Sequence, residues 1–199
     1  MKVSKKGEYA LRSLINLGFA AEAKRNLVQV SELAENEQLP IKFLEQILQL
    51  LKEAGYVESE RGKFGGYRLA KPTRKIIIGD VVRLVDGPLA PIRCVSQTAY
   101  EKCTCPDEAH CGLRMLMLDV RNAISGILDR YTLADVVGIT IRKMRRDGVP
   151  LPFSADEAAA APAARVPARL ARKLAKGAKA PKPSPTEGIV QQLLGEYTI

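Results

Sequence analysis

Four cysteines lie within 18 residues in the middle of this 199-residue chain, at Cys94, Cys103, Cys105 and Cys111. The charged N-terminus is not followed by a long apolar stretch, and no apolar run approaches the roughly 20 residues that span a bilayer. These features predict a cytoplasmic protein with no membrane partner. We therefore expect the cysteines to be thiols, metal ligands or redox groups rather than structural disulfides.

The spacing of the cysteines is compatible with more than one chemistry. A short polar loop with four sulfurs suits metal ligation, in which each ligand is a thiolate. Zinc is disfavoured, because Cys103 and Cys105 form a Cys-x-Cys pair and zinc ligands are usually further apart in sequence. The same pair could form a transient disulfide in a metal-free thiol switch. We expect the neighbouring cations Arg93, Lys102 and Arg114 to lower the pKa of these thiols.

A long helix is predicted to begin near Gly112, directly after the last cysteine. Its apolar residues repeat at alternating intervals of four and three, which is typical of a helix that pairs with a second copy of itself. The alternative is an amphipathic helix that packs inside its own chain. A shorter helix is predicted at 133–146. The residues of the apolar repeat are Leu113, Met117, Val120, Ile124, Ile127 and Tyr131.

The first half of the chain has the pattern of a winged helix-turn-helix. Apolar periodicity and turn residues predict a mainly α fold with a small β-wing, followed by the long dimerisation helix. The predicted elements are helices at 8–23, 30–37 (with Ser31 as N-cap), 40–54 and 76–85, and a glycine-rich hairpin at 56–69. The predicted segments are a DNA-binding domain at 1–85, a cysteine-containing sensor loop at 86–111, the dimerisation and return helices at 112–150, and a basic disordered linker with a short amphipathic segment at 151–199.

Duplex DNA is the partner that this arrangement predicts. In such modules the second helix of the pair enters the major groove, and a basic wing tip can reach the minor groove. Residues 154–186 contribute +5 and residues 187–199 contribute −2 to the net charge of +9, so the first 153 residues are basic in their own right. A hairpin whose charges are merely solvated is the alternative. The candidate DNA-binding residues are Ile41, Lys42, Glu45, Arg61, Lys63, Tyr67 and Arg68.

Three ordered segments resemble one known family of regulators. They are the opening Lys5-Lys6-Gly7-Glu8-Tyr9-Ala10-Leu11-Arg12, the helix from Phe43-Leu44-Glu45 to Ala54-Gly55, and the wing Arg61-Gly62 with Gly65-Gly66-Tyr67-Arg68-Leu69-Ala70. Together they resemble the IscR/NsrR-type regulators of the Rrf family over about residues 1–145. The resemblance implies a dimeric winged-helix repressor or activator, and many such proteins hold an iron–sulfur cluster.

The resemblance also implies which residues would hold the cluster, either [2Fe–2S] or [4Fe–4S]. The family pattern ends in Cys-x₅-Cys, which Cys105 and Cys111 match, and Cys94 takes the first place. Cys103 is an extra thiol that could replace Cys105, supply a fourth ligand or be a spare. In some relatives a carboxylate at the position of Glu8 ligates the cluster across the dimer; otherwise Glu8 is an exposed acid at a helix N-terminus. His110 is a weak candidate, because Arg114 stands where some relatives use a histidine.

The predicted function is a homodimeric DNA-binding transcription regulator that senses iron–sulfur, redox or nitric oxide status. One alternative is a cluster-free regulator controlled by a protein partner, as in sulfur-metabolism members of the family, or by a thiol switch. Another is a metal-binding scaffold or cluster carrier that does not bind DNA. An enzyme is not expected, because the sequence has no phosphate-binding glycine loop. Its single histidine also leaves few groups for acid–base catalysis. The amphipathic segment at 187–199 is either a frayed tail or a docking peptide for a protein partner.

Overall fold

The computed structural model describes residues 3–62 and 64–154. They form a mainly helical fold with one two-stranded antiparallel sheet, as the sequence predicted. The predicted linker and amphipathic segment after residue 154 lie outside the described residues. Two short 3-10 turns at Thr73–Lys75 and Arg93–Val95 accompany the main elements. These elements are α1 (Lys5–Glu22), α2 (Val30–Glu37), α3 (Ile41–Glu53), β1 (Val57–Glu60), β2 (Gly66–Leu69), α4 (Ile78–Asp86), α5 (Gly112–Arg130) and α6 (Leu133–Arg146).

α1 begins earlier than the predicted residue 8, because Ser4 caps it. The Ser4 hydroxyl accepts a hydrogen bond from the Gly7 amide at 3.0 Å. Asp86, at the end of α4, accepts a hydrogen bond from the Ser4 amide at 3.0 Å. A Cβ on Gly7 would lie 2.4 Å from the Asp86 carboxylate, so a side chain there would displace that carboxylate.

The α2–α3 pair forms the helix-turn-helix. α2 ends at Gln38, which adopts the left-handed conformation with φ +54°, and α3 starts after Pro40. The prediction that Ser31 caps α2 was wrong, since the helix already includes Val30 and its N-cap is Gln29. The reason is tertiary: Val28 pairs with Tyr67 of β2 in an isolated bridge, so the chain turns directly from that bridge into the helix.

The wing consists of β1 and β2, paired antiparallel from Val57 opposite Leu69 to Glu60 opposite Gly66. Val28 extends this sheet through two backbone hydrogen bonds with Tyr67, at 3.0 and 2.8 Å. A Cβ on Gly66 would lie 2.5 Å from the Val28 carbonyl oxygen, so a side chain there would push the two segments apart. The wing is thereby fixed to the segment that leads into α2.

One hydrophobic core unites α1, α2, α3, the wing and α6. α6 lies against α1 so closely that a Cβ on Gly18 would be 2.6 Å from Val137. After α6 the chain turns back and buries Phe153 in the same core. α6, which the sequence grouped with the dimerisation helix, thus completes the core of the N-terminal module; the division into functional segments stays a prediction. The largest fully buried side chains include Leu14, Leu17, Leu33, Leu44, Ile47, Leu48, Leu51 and Leu133.

α5 lies against α4, and hydrogen bonds join its C-terminal end to α4. The Arg83 guanidinium forms two hydrogen bonds with the Asp129 carboxylate, at 2.7 and 2.6 Å. The Ile78 amide donates to the Tyr131 carbonyl at 3.0 Å. Gly79 allows this contact, because a Cβ there would lie 2.0 Å from an Asp129 carboxylate oxygen. None of the described helices is long and apolar enough to cross a membrane.

The predicted apolar repeat on α5 is divided between half-buried and exposed residues. Met117, Ile124 and Tyr131 are half-buried within the chain, and their part in a dimer seam stays a prediction. Besides Met115, the exposed large apolar residues of α5 recur at intervals of three, four and seven, on a face next to these three positions. They are Leu113, Leu116, Val120 and Ile127, all more than a third exposed, and we call them the α5 seam.

Candidate DNA-binding surface and cysteine cavity

The N-terminal end of α3 presents the predicted recognition residues to solvent. Ile41, Lys42 and Glu45 are all exposed, and Ile41 keeps 46% of its surface accessible. The other side of the same helix is buried through Leu44, Ile47, Leu48 and Leu51. The packing of that face fixes which side chains can reach a DNA groove. Direct contact by these three residues stays a prediction.

The wing tip is a tight turn bounded by glycines. The Gly65 amide donates to the Gly62 carbonyl at 3.0 Å, and Gly62 has φ +117°. Arg61 is exposed beside this turn, and Lys63 lies outside the described residues. Phe64, which the sequence analysis passed over, is 82% exposed at the tip. Its position in a glycine-bounded turn was the available signal.

The other two wing candidates sit further down the hairpin. Tyr67 is half-buried and packs against the hydrophobic core, while its backbone pairs with Val28. Arg68 is exposed, and its guanidinium contacts Glu58 at 3.0 Å and Glu60 at 2.7 Å. Those two carboxylates raise the pKa of Arg68 through hydrogen bonds and charge. Their negative charges also offset the attraction of Arg68 for a phosphate group.

All four cysteines line one cavity of about 330 Å³ between the 86–111 loop and the start of α5. Cys94 is buried, Cys103 and Cys111 are half-buried, and Cys105 is exposed. None of them is in a disulfide. Cys111 caps α5, since its sulfur accepts a hydrogen bond from the Arg114 amide at 3.4 Å. The structure therefore brings together the four thiols that the sequence singled out.

The Cys94 and Cys105 thiols are held in their neutral form more strongly than expected. Burial, together with Cys103 and Glu108, raises the pKa of Cys94. A hydrogen bond with Cys103 and the charges of the nearby cysteines raise the pKa of Cys105 to about 11. The expectation that neighbouring cations lower these pKa values was wrong for both residues, because burial and the negative neighbours prevail, although Arg114 does lower the pKa of Cys94. Arg93 pairs with Glu101, and Arg114 with Glu108 at 3.1 Å.

Glu108 contacts two residues of the cavity lining, Cys103 and Arg114, and it was not among the residues predicted from the sequence. The Tyr100 hydroxyl donates to its two carboxylate oxygens at 2.9 and 3.0 Å, and Arg114 of α5 pairs with it. The Cys103 sulfur lies 3.7 Å from one of the same oxygens. Its side chain is only 16% exposed. Nothing in its sequence context distinguishes it from the other acids of the loop.

The donor set fits an iron–sulfur cluster in chemistry, although the ligands are not yet assembled. Four sulfurs face one cavity at the base of α5, and thiolates are the ligands that such clusters require. Among residues 3–62 and 64–154, however, no three His, Cys, Asp or Glu side chains are grouped closely enough to hold a metal ion. Binding would therefore require the loop to draw its cysteines together and to release their protons.

The two remaining ligand candidates lie apart from the cavity lining. Glu8 is on the first turn of α1, where it pairs with Lys5 at 2.7 Å and Arg12 at 3.5 Å, and these cations lower its pKa. His110 is 84% exposed, and its Nδ1 lies 2.7 Å from Asp107. Ligation by Glu8 across a dimer stays a prediction.

Comparison with known proteins identifies the group to which this chain is related. Residues 3–138 match the family model described as "Rrf2: Iron-dependent Transcriptional regulator". The chain belongs to the Rrf2 family. A transcriptional regulator of Rhodobacter capsulatus named rrf2-like is 40% identical over 139 residues, which cover 68% of this chain and 91% of the relative. This confirms the predicted resemblance.

Solved structures of Rrf2-family regulators share the fold. CymR, the global cysteine regulator of B. subtilis, is 31% identical with a TM-score of 0.58, over 70% of this chain and 98% of that one. IscR of T. potens is 28% identical with a TM-score of 0.54, over 70% of this chain and 88% of that one. The winged-helix prediction is confirmed, and so is the expectation that the Rrf2-family chain is a DNA-binding transcription regulator and not an enzyme.

Proposed function

We propose that this protein is a homodimeric cytoplasmic regulator whose binding to operator DNA depends on an iron–sulfur cluster. The observation that carries the proposal is the single cavity into which Cys94, Cys103, Cys105 and Cys111 all open, at the start of the helix that carries the α5 seam. Cys94, Cys105 and Cys111 would hold the cluster, with Cys103 as a further or alternative ligand. The cluster would supply a redox-active group that oxygen or nitric oxide can destroy.

The DNA-binding part of the proposal is supported by family membership and by the exposed end of α3. Lys42 and Arg61 would contact phosphates, because most protein–DNA hydrogen bonds go to the backbone. Ile41 and Glu45 would face base edges in the major groove. Lys63, Tyr67 and Arg68 remain candidates on the wing, although the partners of Arg68 and the partial burial of Tyr67 weaken their case.

The dimer is supported by the α5 seam. Leu113, Leu116, Val120 and Ile127 would be costly to leave in water, and their intervals match those of helices that pair along a common stripe. Pairing of two α5 helices would place two α3 helices at a fixed separation. Dimeric regulators read half-sites about 34–36 Å apart, so that separation decides whether both sites can be bound.

Coupling between the cavity and DNA would pass through the first turn of α5. Cys111 caps this helix and also lines the cavity, so a movement of its sulfur on ligation would alter its bond with the Arg114 amide. The change at the helix start would alter how the two α5 helices meet. Linkage requires the converse as well: if the loaded protein binds DNA more tightly, DNA must stabilise the cluster by the same factor.

Anaerobic reconstitution with iron and sulfide tests the cluster. We expect a brown protein with visible absorbance, bound iron and sulfide, and an operator affinity that changes on cluster loss. Cys94→Ala and Cys111→Ala should abolish the absorbance, because each removes a sulfur from the cavity. Thr98→Ala is the matched control, an exposed residue of the same loop outside the cavity lining, and should leave the absorbance intact. A colourless, iron-free wild-type protein would contradict the proposal, and Cys103→Ala decides whether Cys103 is a ligand.

A metal-free thiol switch is the second candidate, favoured by Cys103 and Cys105 lining the same cavity two residues apart. Here a peroxide would take two electrons and two protons from the pair as the disulfide forms and would be reduced to water. Mass spectrometry of protein oxidised without iron would then show a loss of two hydrogens within the 86–111 loop. Control by a protein partner remains the third candidate; the partner segment suggested by the sequence lies outside the described residues.

A further inference from the structure

Asn16 is a polar residue on the buried side of α1. It is only 3% exposed, and its neighbours Leu14 and Leu17 belong to the hydrophobic core. A buried amide without hydrogen-bond partners destabilises a fold, and an apolar residue of similar size needs none. The partners of Asn16 therefore indicate what the amide contributes that a leucine would not.

The Asn16 side chain joins α1 to the end of α2. Its Nδ2 group donates to the Arg12 carbonyl of its own helix at 3.0 Å and to the Glu37 carboxylate. Its Oδ1 atom accepts a hydrogen bond from the Asn36 side chain at 2.7 Å. Arg12 adds an ion pair with the Glu37 carboxylate and donates to the Glu37 carbonyl at 3.4 Å. We call Arg12, Asn16, Asn36 and Glu37 the α1–α2 polar network.

The α1–α2 polar network ends where the turn of the helix-turn-helix begins. Gln38 follows Glu37 directly and has φ +54°, a conformation that residues other than glycine seldom adopt and that the surrounding structure must hold. α3 begins three residues later, at Ile41. By holding Asn36 and Glu37, the network therefore fixes the direction in which the chain leaves α2 and enters α3.

α1 also contacts the first turn of α3 directly. Tyr9 lies two helical turns before Asn16, on the same side of α1, and its ring meets that of Phe43 edge-on with 5.8 Å between the centroids. Lys42 and Glu45, two of the exposed candidates for DNA contact, flank Phe43 on α3. Their orientation thus depends on α1 through one aromatic contact and one polar network.

We propose that Asn16 is a positioning residue that determines how selectively α3 reads DNA sequence. The inference rests on the proposed DNA-binding function and assigns part of its selectivity to a residue that does not touch DNA. Hydrogen bonds to base edges carry the sequence information, whereas contacts to phosphates carry none. A small reorientation of α3 would weaken the base contacts and leave the ionic attraction in place. A buried polar group can fix one arrangement in this way without adding to stability.

Asn16→Leu separates positioning from stability. Asn36 is exposed and Glu37 keeps its ion pair with Arg12, so we expect a melting temperature close to that of the wild type. Kd is measured for the 30-bp duplex that the wild-type protein enriches most from a random library, and for a shuffled duplex of the same composition. The ratio of the two Kd values should fall about tenfold, the effect of losing roughly one base contact. Binding to the shuffled duplex and its dependence on salt should not change.

Two further variants make the test specific. Asn36→Ala breaks the same contact from an exposed position, so it should also lower the ratio, and it decides the question if Asn16→Leu does not fold. The double variant should be no less selective than Asn16→Leu, since both changes act through one contact. Ser13→Ala is the matched control. Ser13 is fully buried on α1, but its hydroxyl donates to the Tyr9 carbonyl of the same helix at 2.7 Å, so the ratio should stay unchanged.

The outcomes distinguish this inference from the function on which it rests. If the wild-type protein prefers its selected duplex and Asn16→Leu and Asn36→Ala prefer it equally strongly, only the role of Asn16 is wrong. Equal losses of affinity for the two duplexes, or the same fall in the ratio for Ser13→Ala, also overturn it, because the defect would then be general. If the wild-type protein prefers no duplex, the proposed function fails and this inference fails with it.

Discussion

Glu108 links the sensor cavity to α5 through a single carboxylate. It accepts a hydrogen bond from the Tyr100 hydroxyl of the loop and forms an ion pair with Arg114 of the helix. It also lies beside the Cys103 sulfur. An ion pair formed by a half-buried carboxylate is stronger than one at the surface, because solvent screens its charges less. Opening of the 86–111 loop should therefore require this contact to break.

Glu108→Gln should make the cavity open more often. The amide still accepts from Tyr100 but leaves Arg114 without its counter-charge, which we expect to cost about 1 kcal/mol of local stability. Buried Cys94 reacts with iodoacetamide only in the open form, so its alkylation should become about fivefold faster. The matched control is Glu101→Gln, whose pair with Arg93 is largely exposed and should leave the rate unchanged. Equal rates of Cys94 alkylation in the wild type and both variants would show that Glu108 does not hold the loop closed.

At the residue scale, the sequence revealed the groups whose chemistry is intrinsic. Cysteines can be recognised as candidate ligands from their residue type alone, and all four line the predicted site. The sequence could not show how the charges around them are paired. Arg93 and Arg114 looked like activators of the thiols, but each is engaged by an acid, and those acids lie several residues away along the chain. Phe64 was missed for the same reason, because exposure is a property of the fold.

At the element scale, α5 is apolar on more than one face. Leu128 and Tyr131 pack against the small cluster formed by Ile78, Val82 and Leu89, while the α5 seam faces away from the chain. The sequence predicted the helix and its start at Gly112, and both were right. Periodicity alone could not tell which apolar stripe its own chain would cover. The predicted cap at Ser31 failed for the same reason. The start of α2 is set by the bridge between Val28 and Tyr67, which local sequence does not reveal.

The two stripes make different predictions for dimerisation. Leu116 belongs to the α5 seam but not to the repeat inferred from the sequence, and it is 56% exposed. Leu116→Glu should raise the dimer dissociation constant by about a hundredfold, because two apolar contacts of roughly 1.5 kcal/mol each are replaced by charge. Sedimentation equilibrium measures the change.

The control for this change adds the same charge to another exposed position of α5. Asn122 lies on the polar flank of the helix and is also exposed. Asn122→Glu should leave the dimer intact if the α5 seam is the interface. Dissociation by Asn122→Glu, or none by Leu116→Glu, would place the interface elsewhere.

At the scale of the whole molecule, the core extends beyond the part that the family pattern covers. The family match ends at residue 138, whereas Leu151 and Phe153 still pack on the core. Phe153 adopts φ +63°, and Arg25 lies over its ring at 5.7 Å from the centroid. The sequence placed the end of the folded region near 150, because the stretch that follows is rich in Ala, Pro and Lys and is typical of a linker. It could not show that one aromatic residue at the boundary turns inward.

Phe153→Ala should therefore destabilise the entire module. Removing a buried Phe side chain costs about 3 kcal/mol through lost burial and the cavity left behind. Urea denaturation should show a lower midpoint with an unchanged slope. Val149→Ala, four residues earlier and exposed, should shift the midpoint by less than about 0.5 kcal/mol. A midpoint for Phe153→Ala equal to that of the wild type would show that the segment after α6 is not part of the core.

The packing of α6 and Phe153 on α1 also has a consequence in time. Roughly 110 residues separate the end of α1 from the start of α6, and at about 5–20 residues per second their synthesis takes on the order of 10 s. During that interval the face of α1 around Gly18, which receives Val137 in the finished protein, has no partner. In sequence, the DNA-binding module ends with its wing. Its hydrophobic core can nevertheless be completed only after the chain has been synthesised through Phe153. An incomplete chain released before that point would expose the unsatisfied side of its first helix.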